Sequence, residues 1–245
     1  MPIRSPRVNV SARASGWLRP HAEDLPAAAS TSAAGRVVGV LAMQGAFAEH
    51  GVAVRRLGGT AVEIRQPKHL DGIDSLIIPG GESTTMSKLL VSTGLFQPIA
   101  DRIAAGMPVF GTCAGMILLA MDVIDGRADQ QTFSALNISV QRNGYGRQVD
   151  SFETDLDIAG IAGGPVHATF IRAPKIVSVG EGVTVLASHE DVPVVVSADQ
   201  GRIMASSFHP ELTPELRLHE LFLAFDPSQQ PVRSIPLAVP PVLTS

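Results

Sequence analysis

The sequence predicts an α/β fold built on a mostly parallel sheet, and three observations carry that prediction. Continuous apolar runs of strand length recur at 37–43, 75–79 and 108–112, as expected for strands covered on both faces. Helix-length patterns separate them, the spacing of βαβ units. Glycine-rich turns follow the runs: Gly80-Gly81 after the second, and Gly111-Thr112-Cys113-Ala114-Gly115 after the third. In open sheets of this kind, sites gather beyond the carboxyl ends of the strands, where both turns fall.

In order, Val37–Met43 reads as the first strand, Ala46–Leu57 as a helix closed by Gly58-Gly59, and Ala61–Ile64 as a second strand. Ser75–Pro79 is a third strand, followed by a helix over about 83–90 with Ser83 or Thr84 as N-cap. A helix over about 97–105 precedes the strand that ends at Thr112, and a helical run over Met116–Met121 leaves the turn. Beyond it the texture changes. Residues 134–141, 151–158, 166–171, 183–188 and 192–198 read as strands without helices between them, an antiparallel extension of the same domain. Arg202–Phe208 returns to a core strand and delivers His209-Pro210-Glu211. Thr213 and Pro214 are placed to start a last helix running to about Phe225.

Residues 1–35, rich in Ala, Ser, Pro and Arg and without periodicity, read as a disordered N-terminal extension; 226–245, with five prolines, read as a flexible tail. Residues 36–225 are then one domain. The lead faintly resembles a transit peptide, but no apolar stretch follows its arginines to support a secretory signal. The 245 residues carry 45% hydrophobic and 17% charged side chains, an ordinary globular balance. A net charge of −4 gives no basic footprint for nucleic acid. No apolar run approaches the roughly 18 residues that span a bilayer, and a cytoplasmic location is expected. One cysteine excludes a disulfide within the chain and a cysteine-rich zinc site.

That cysteine, Cys113, lies in Gly-x-Cys-x-Gly between a strand and a helix, the thiol form of a nucleophile elbow. The turn is too sharp for side chains two positions away, which Gly111 and Gly115 lack, and a helix N-terminus favours thiolate. The competing reading is a buried small hydrophobe. A nucleophilic thiol needs a base and an orienting group. His209 and Glu211 offer both, because in extended chain positions i and i+2 share a side. The other histidines have weaker claims: His21 lies in the lead, His50 and His219 on helix faces read as polar, His69 in a loop, His167 and His189 in or near strands. His209-Pro210-Glu211 also fits the His-x-Glu of zinc deaminases, but the Pro-Cys-x-x-Cys ligand pair is missing, so no metal is expected. Gly80–Thr84 lacks the lysine of a nucleotide-binding loop. It is better placed to aim an N–H, with that of Ala114, at a tetrahedral oxyanion.

Pro-Gly-Gly-Glu-Ser (79–83), Gly-Thr-Cys-Ala-Gly (111–115) and Phe-His-Pro-Glu (208–211), in this order, resemble the triad (class I) glutamine amidotransferases. Five blocks (39–46, 80–86, 142–152, 170–174 and 207–213) narrow the resemblance to the glutaminase subunit of pyridoxal phosphate synthase. It covers about 36–225, and Asp125–Ser134 departs from the family pattern. The resemblance implies a three-layer fold and a triad of Cys113, His209 and Glu211 hydrolysing L-glutamine through a thioester. It implies an oxyanion hole at Gly81 and Ala114, and glutamine contacts at Gly81, Glu82, Ser83, Arg142, Ile171 and Arg172. It further implies no cofactor of the chain's own and a partner, the synthase (lyase) subunit, that receives the ammonia. The alternatives are a class I glutaminase serving another pathway, or a non-catalytic subunit that senses glutamine or binds a partner.

Overall fold

The computed structural model describes residues 33–142, 144 and 151–225. The expectations for 1–32 and 226–245, and the motif residues Asn143 and 145–150, lie outside the described residues. The described residues begin at Ala33, three residues before the expected domain start, and it is part of the fold: its side chain is buried and its N–H donates to Leu57 O at 3.1 Å.

The first half follows the expected alternation. It comprises β1 (Val37–Leu41), α1 (Phe47–Arg56), β2 (Thr60–Ile64), a 3₁₀ turn at Pro67–Leu70, β3 (Ser75–Ile78), α2 (Ser83–Ser92), α3 (Phe96–Ala104), β4 (Val109–Thr112) and α4 (Ala114–Leu119). Then come β5 (Ala120–Val123), β6 (Leu136–Gln141), β7 (Ser151–Leu156), β8 (Val166–Ile171), β9 (Lys175–Val179), β10 (Val183–His189), β11 (Val192–Ala198), β12 (Ile203–Ser206) and α5 (Arg217–Leu223).

The main sheet has seven strands in the order β10-β11-β12-β4-β3-β1-β2. From β12 to β2 all neighbours are parallel, while β11 and β10 continue the sheet antiparallel. A three-stranded sheet (β5-β6-β9) and the β7–β8 hairpin are separate. Because successive strand residues face opposite sides, the sheet feeds two cores. Leu76, Ile78, Val109, Ile203 and Ala205 pack with α2, α3, α4 and the three-stranded sheet. Ile77, Phe110 and Met204 pack on the other face with α1, α5 and the hairpin. These are the three layers of the expected α/β class.

Four local expectations are corrected. The cap of α2 is Glu82 rather than Ser83 or Thr84, since its longer carboxylate reaches two amides of the first turn, Thr84 N at 3.1 Å and Thr85 N at 2.7 Å. The helix after the elbow stops at Leu119, and Met121 belongs to β5, whose pairing with β6 takes over. Strand β9, unexpected from the sequence, pairs antiparallel with β6. The last helix begins at Arg217, not Pro214; Thr213 Oγ1 accepts from Glu215 N at 3.3 Å in the turn before it. No helix among the described residues is long and apolar enough to cross a membrane.

Candidate active site

Strand adjacency assembles the site. β4 lies between β12 and β3, with Thr112 opposite Ser206 and Gly111 opposite Ile78. Three consecutive parallel strands therefore release their chains at one edge. Cys113 follows β4, His209 follows β12 and Gly80 follows β3. Cys113 N donates to Ser206 O at 2.8 Å, and His209 N to Thr169 O of β8 at 2.9 Å, which pins both segments.

Cys113 takes φ 50° and ψ −106°, a region costly to any residue with a Cβ, of order 1–3 kcal/mol. The surroundings hold it there by close approach. A Cβ on Gly111 would come 2.6 Å from the backbone of Gly115, and one on Gly115 would come 2.0 Å from Ile78 O. Glycine at both positions lets the elbow sit against β3. Ala114 opens α4, so its N–H has no acceptor within the helix.

His209 Nδ1 lies 2.8 Å from Glu211 Oε1, and the carboxylate side chain is wholly buried. Pro210 and Glu211 belong to a short 3₁₀ turn, not an extended segment, yet the carboxylate still reaches the ring. Burial works against a charged imidazole, but hydrogen bonds to the Cys113 thiol and to Glu211 outweigh it and raise His209 to about 10. Burial likewise opposes charge on Glu211, and the facing His50 and His209 hold its carboxyl below the ordinary range. Gly80 closes the other side: a Cβ there would lie 2.4 Å from His209 Cε1 and 3.3 Å from Cys113 Cβ.

The turn after β3 is tied down from the loop after β1. Glu82 N donates to Gln44 Oε1 at 3.0 Å, Gly81 takes φ 152°, and a Cβ on Gly45 would meet Gly80 O at 2.0 Å. Ser83 is buried at the start of α2. The Glu82 carboxylate also accepts from Thr85 Oγ1 at 2.7 Å. Slight burial works against its charge, but the hydrogen bonds from Thr85 and Thr84 bring its carboxyl down to about 2.

Arg142 joins this cluster, with Nη1 2.8 Å from Thr84 Oγ1 and Nη2 3.8 Å from Glu82 Oε1. Asp125–Ser134, expected from the sequence to depart from the family pattern, packs beside it. Asp125 Oδ1 accepts from Arg142 N at 2.8 Å, Gln130 Oε1 accepts from Arg142 Nη1 at 3.3 Å, and Ser87 Oγ donates to Gln131 O at 3.1 Å. Ile171 ends β8, and Arg172 follows it, exposed, with φ 44°. The structure thus groups Cys113, His209, Glu211 and Gly80, and beside them Gly81, Glu82, Ser83 and Arg142. Ile171 and Arg172 stand at the end of the strand that holds the His209 backbone.

The sequence reading missed Gln44 and Gln130, which have no periodicity to mark them, and it misplaced His50 and His219. Both histidines are fully buried, with His50 Nδ1 2.8 Å from His219 Nε2. Helical spacing held a signal: His50 shares a face with Val54 and Leu57, and His219 with Phe222 and Leu223, all buried. By contrast, His167 is half exposed between Asp155 and Glu153, and His189 stacks on Phe152.

A thiol on a strained turn, a base in contact with it and a buried carboxylate behind the base form the arrangement of acyl-transfer enzymes with a cysteine nucleophile. The chain as a whole is similar to known proteins. A relative from Nocardia farcinica, named pyridoxal 5'-phosphate synthase subunit PdxT, is 50% identical over 202 residues, covering 81% of this chain and 89% of the relative. One of the same name from Herpetosiphon aurantiacus is 52% identical over 187 residues, covering 76% and 98%. A crystal structure described as a glutamine amidotransferase superposes with a TM-score of 0.71 at 49% identity, over 76% of this chain and 98% of that one. With residues 40–225 also matching the family model, the chain belongs to the SNO glutamine amidotransferase family.

Proposed function

We propose that the chain is the glutaminase subunit of a pyridoxal phosphate synthase, hydrolysing L-glutamine to glutamate and ammonia. The observation that supports this most is the convergence of Cys113, His209 and Glu211 at the ends of adjacent parallel strands, with the 2.8 Å His209–Glu211 contact. Relatives at about half identity carry the name of such a subunit. Cys113 gives its thiol proton to His209, and the sulfur attacks the side-chain amide carbon, forming the C–S bond and a tetrahedral oxyanion. N–H groups of Gly81 and Ala114 stabilise that oxygen, each such donor being worth about 3 kcal/mol of barrier. His209 gives its proton to the departing nitrogen, the C–N bond breaks, and ammonia leaves a thioester. Water then attacks the thioester with His209 as base, releasing glutamate and restoring the thiol.

Gly81, Glu82, Ser83, Arg142, Ile171 and Arg172 form the glutamine pocket in this reading. The guanidinium of Arg142 suits the substrate carboxylate, while Glu82 secures both the start of α2 and the Arg142 side. The ammonia passes to a separate synthase subunit, the partner that the name of the relatives implies. Residues 36–225 act as one domain.

The test is Cys113→Ala and Cys113→Ser assayed for glutamate release, beside labelling of the wild-type thiol by a glutamine-like electrophile. Loss of turnover with stoichiometric labelling at Cys113 supports the reading. Turnover near wild type in the alanine variant, with contaminating glutaminases excluded, overturns it.

A further inference from the structure

Behind the triad lies a second pair of buried titratable groups that the mechanism above does not use. His50 Nε2 stands 3.3 Å from Glu211 Oε2 and 3.2 Å from Thr112 Oγ1, the residue before the nucleophile. Its other nitrogen, Nδ1, is 2.8 Å from His219 Nε2. Glu211 Oε2 is buried without a hydrogen bond among the described residues, and His50 Nε2, hydrogen-bonded to Thr112 Oγ1, stands beside it within a small shift of serving it. We propose that His50 is a positioning residue that holds the triad carboxylate, and that His219 fixes the tautomer in which it does so. This deepens the reading of Cys113, His209 and Glu211 as the triad and rests on it.

Proton accounting assigns the direction. A carboxylate only accepts, so the nitrogen facing Glu211 must carry hydrogen. A neutral His50 protonated at Nε2 has a bare Nδ1, which makes His219 Nε2 the donor at 2.8 Å. His219 Nδ1 is then bare as well, and it is the ring nitrogen without a partner in the structure. A buried acceptor left unserved is tolerated better than a buried N–H left without an acceptor. In this arrangement every ring proton has somewhere to go, whereas reversing both tautomers turns a lone pair toward the carboxylate.

The environment works against charge on both rings. Burial, the leading cause, brings His219 down to about 3 with His50 adding to it, and burial lowers His50 as well. Glu211 and Glu49 pull His50 the other way, and His209 adds to the lowering. Phe110 meets the His219 ring edge-on, with centroids 5.9 Å apart, and Phe222 packs on Phe110. The line of contacts therefore runs from the thiol through His209, Glu211 and His50 to His219, from the sheet edge into the core between α1 and α5.

A pair of satisfied core histidines would show the same burial, so the experiment must read catalysis apart from folding. Glutamate release by the full chain with its synthase subunit is measured for His50→Leu, His50→Gln, His219→Leu and Cys113→Ala. The glutamine side chain can place an N–H where His50 Nε2 stands. His50→Leu is expected to lower kcat at least tenfold with KM within about twofold. It should also move the acid limb of the kcat/KM profile upward by about half a pH unit or more, because Glu211 loses its donor. His50→Gln should recover most of both, and His219→Leu should give a smaller loss of the same kind. Wild-type kcat and pH profile in His50→Leu, or a His50→Gln variant as impaired as His50→Leu, overturns the proposal. If Cys113→Ala stays active, the triad reading fails by itself; if it is dead and His50→Leu is fully active, only the positioning role fails. Should His50→Leu not fold, ¹⁵N NMR of the wild-type rings decides: hydrogen on His50 Nε2 supports the arrangement, and hydrogen on Nδ1 overturns it.

Discussion

The backbone of Gly115 lies so near Ile78 that a Cβ on Gly115 would come 2.0 Å from the Ile78 carbonyl oxygen. The elbow helix α4 is thereby pressed onto the end of β3, and Cys113 between them is held at its positive φ. Gly115→Ala must push these elements apart. The expected cost is about 3 kcal/mol of stability, at the upper end of overpacking in a close-packed core. Urea unfolding would check it, and a loss below about 0.5 kcal/mol would mean that the approach is softer than the geometry says.

The proposed mechanism gives His209 and Glu211 unequal contributions. There His209 carries the proton, while Glu211 orients the ring and stabilises its charge, so His209→Ala should lower kcat by about a thousandfold or more. Glu211→Gln keeps the shape and should cost at least about tenfold less than that. Steady-state glutamine hydrolysis measures both. A Glu211→Gln variant worse than His209→Ala would reverse the roles assigned here.

Glu82 ties helix stability to pH. Its carboxyl is depressed from 4.5 to about 2, so it binds fewer protons folded than unfolded. Its stabilisation is therefore complete well above pH 4.5 and drains away as pH falls toward 2. Glu82→Ala should lose about 1 kcal/mol at pH 7, the usual worth of a cap. The gap to wild type should close in unfolding curves taken near pH 2.5, and a gap independent of pH would remove the carboxylate from the account.

Activity is expected to depend on the synthase subunit. The peptide between Gly80 and Gly81 has its carbonyl against Gly45, and neither residue has a Cβ to hinder reorientation. Docking of a partner can then select the orientation that offers an N–H to the oxyanion. Glutamate release by the chain alone and with the synthase subunit should differ by about tenfold or more. Gly81→Val should abolish the difference, since its Cβ would meet Met86 Sδ at 2.9 Å and Gln44 Oε1 at 3.1 Å. Equal turnover in both conditions would sink the gating idea and leave the triad untouched.

The amino-acid sequence by itself determined the α/β class, the order of the first strands and helices, and the turns after β3, β4 and β12. Those features are local: apolar runs, helical spacing and glycine placement express themselves over a few residues. Cys113, His209 and Glu211 were legible because an elbow and a His-x-Glu pair are short motifs with a chemical reason. Which strands lie side by side was decided only in three dimensions. The β12-β4-β3 adjacency that brings His209, Cys113 and Gly80 together joins segments far apart in the chain. Glu82 became a cap because its carboxylate could reach Thr84 and Thr85, where propensity favours the shorter Ser or Thr. His50 and His219 read as polar surface residues because each ring is polar when taken alone. Their burial became possible only when tertiary packing set His50 Nδ1 against His219 Nε2 and His50 Nε2 beside Thr112 Oγ1 and Glu211.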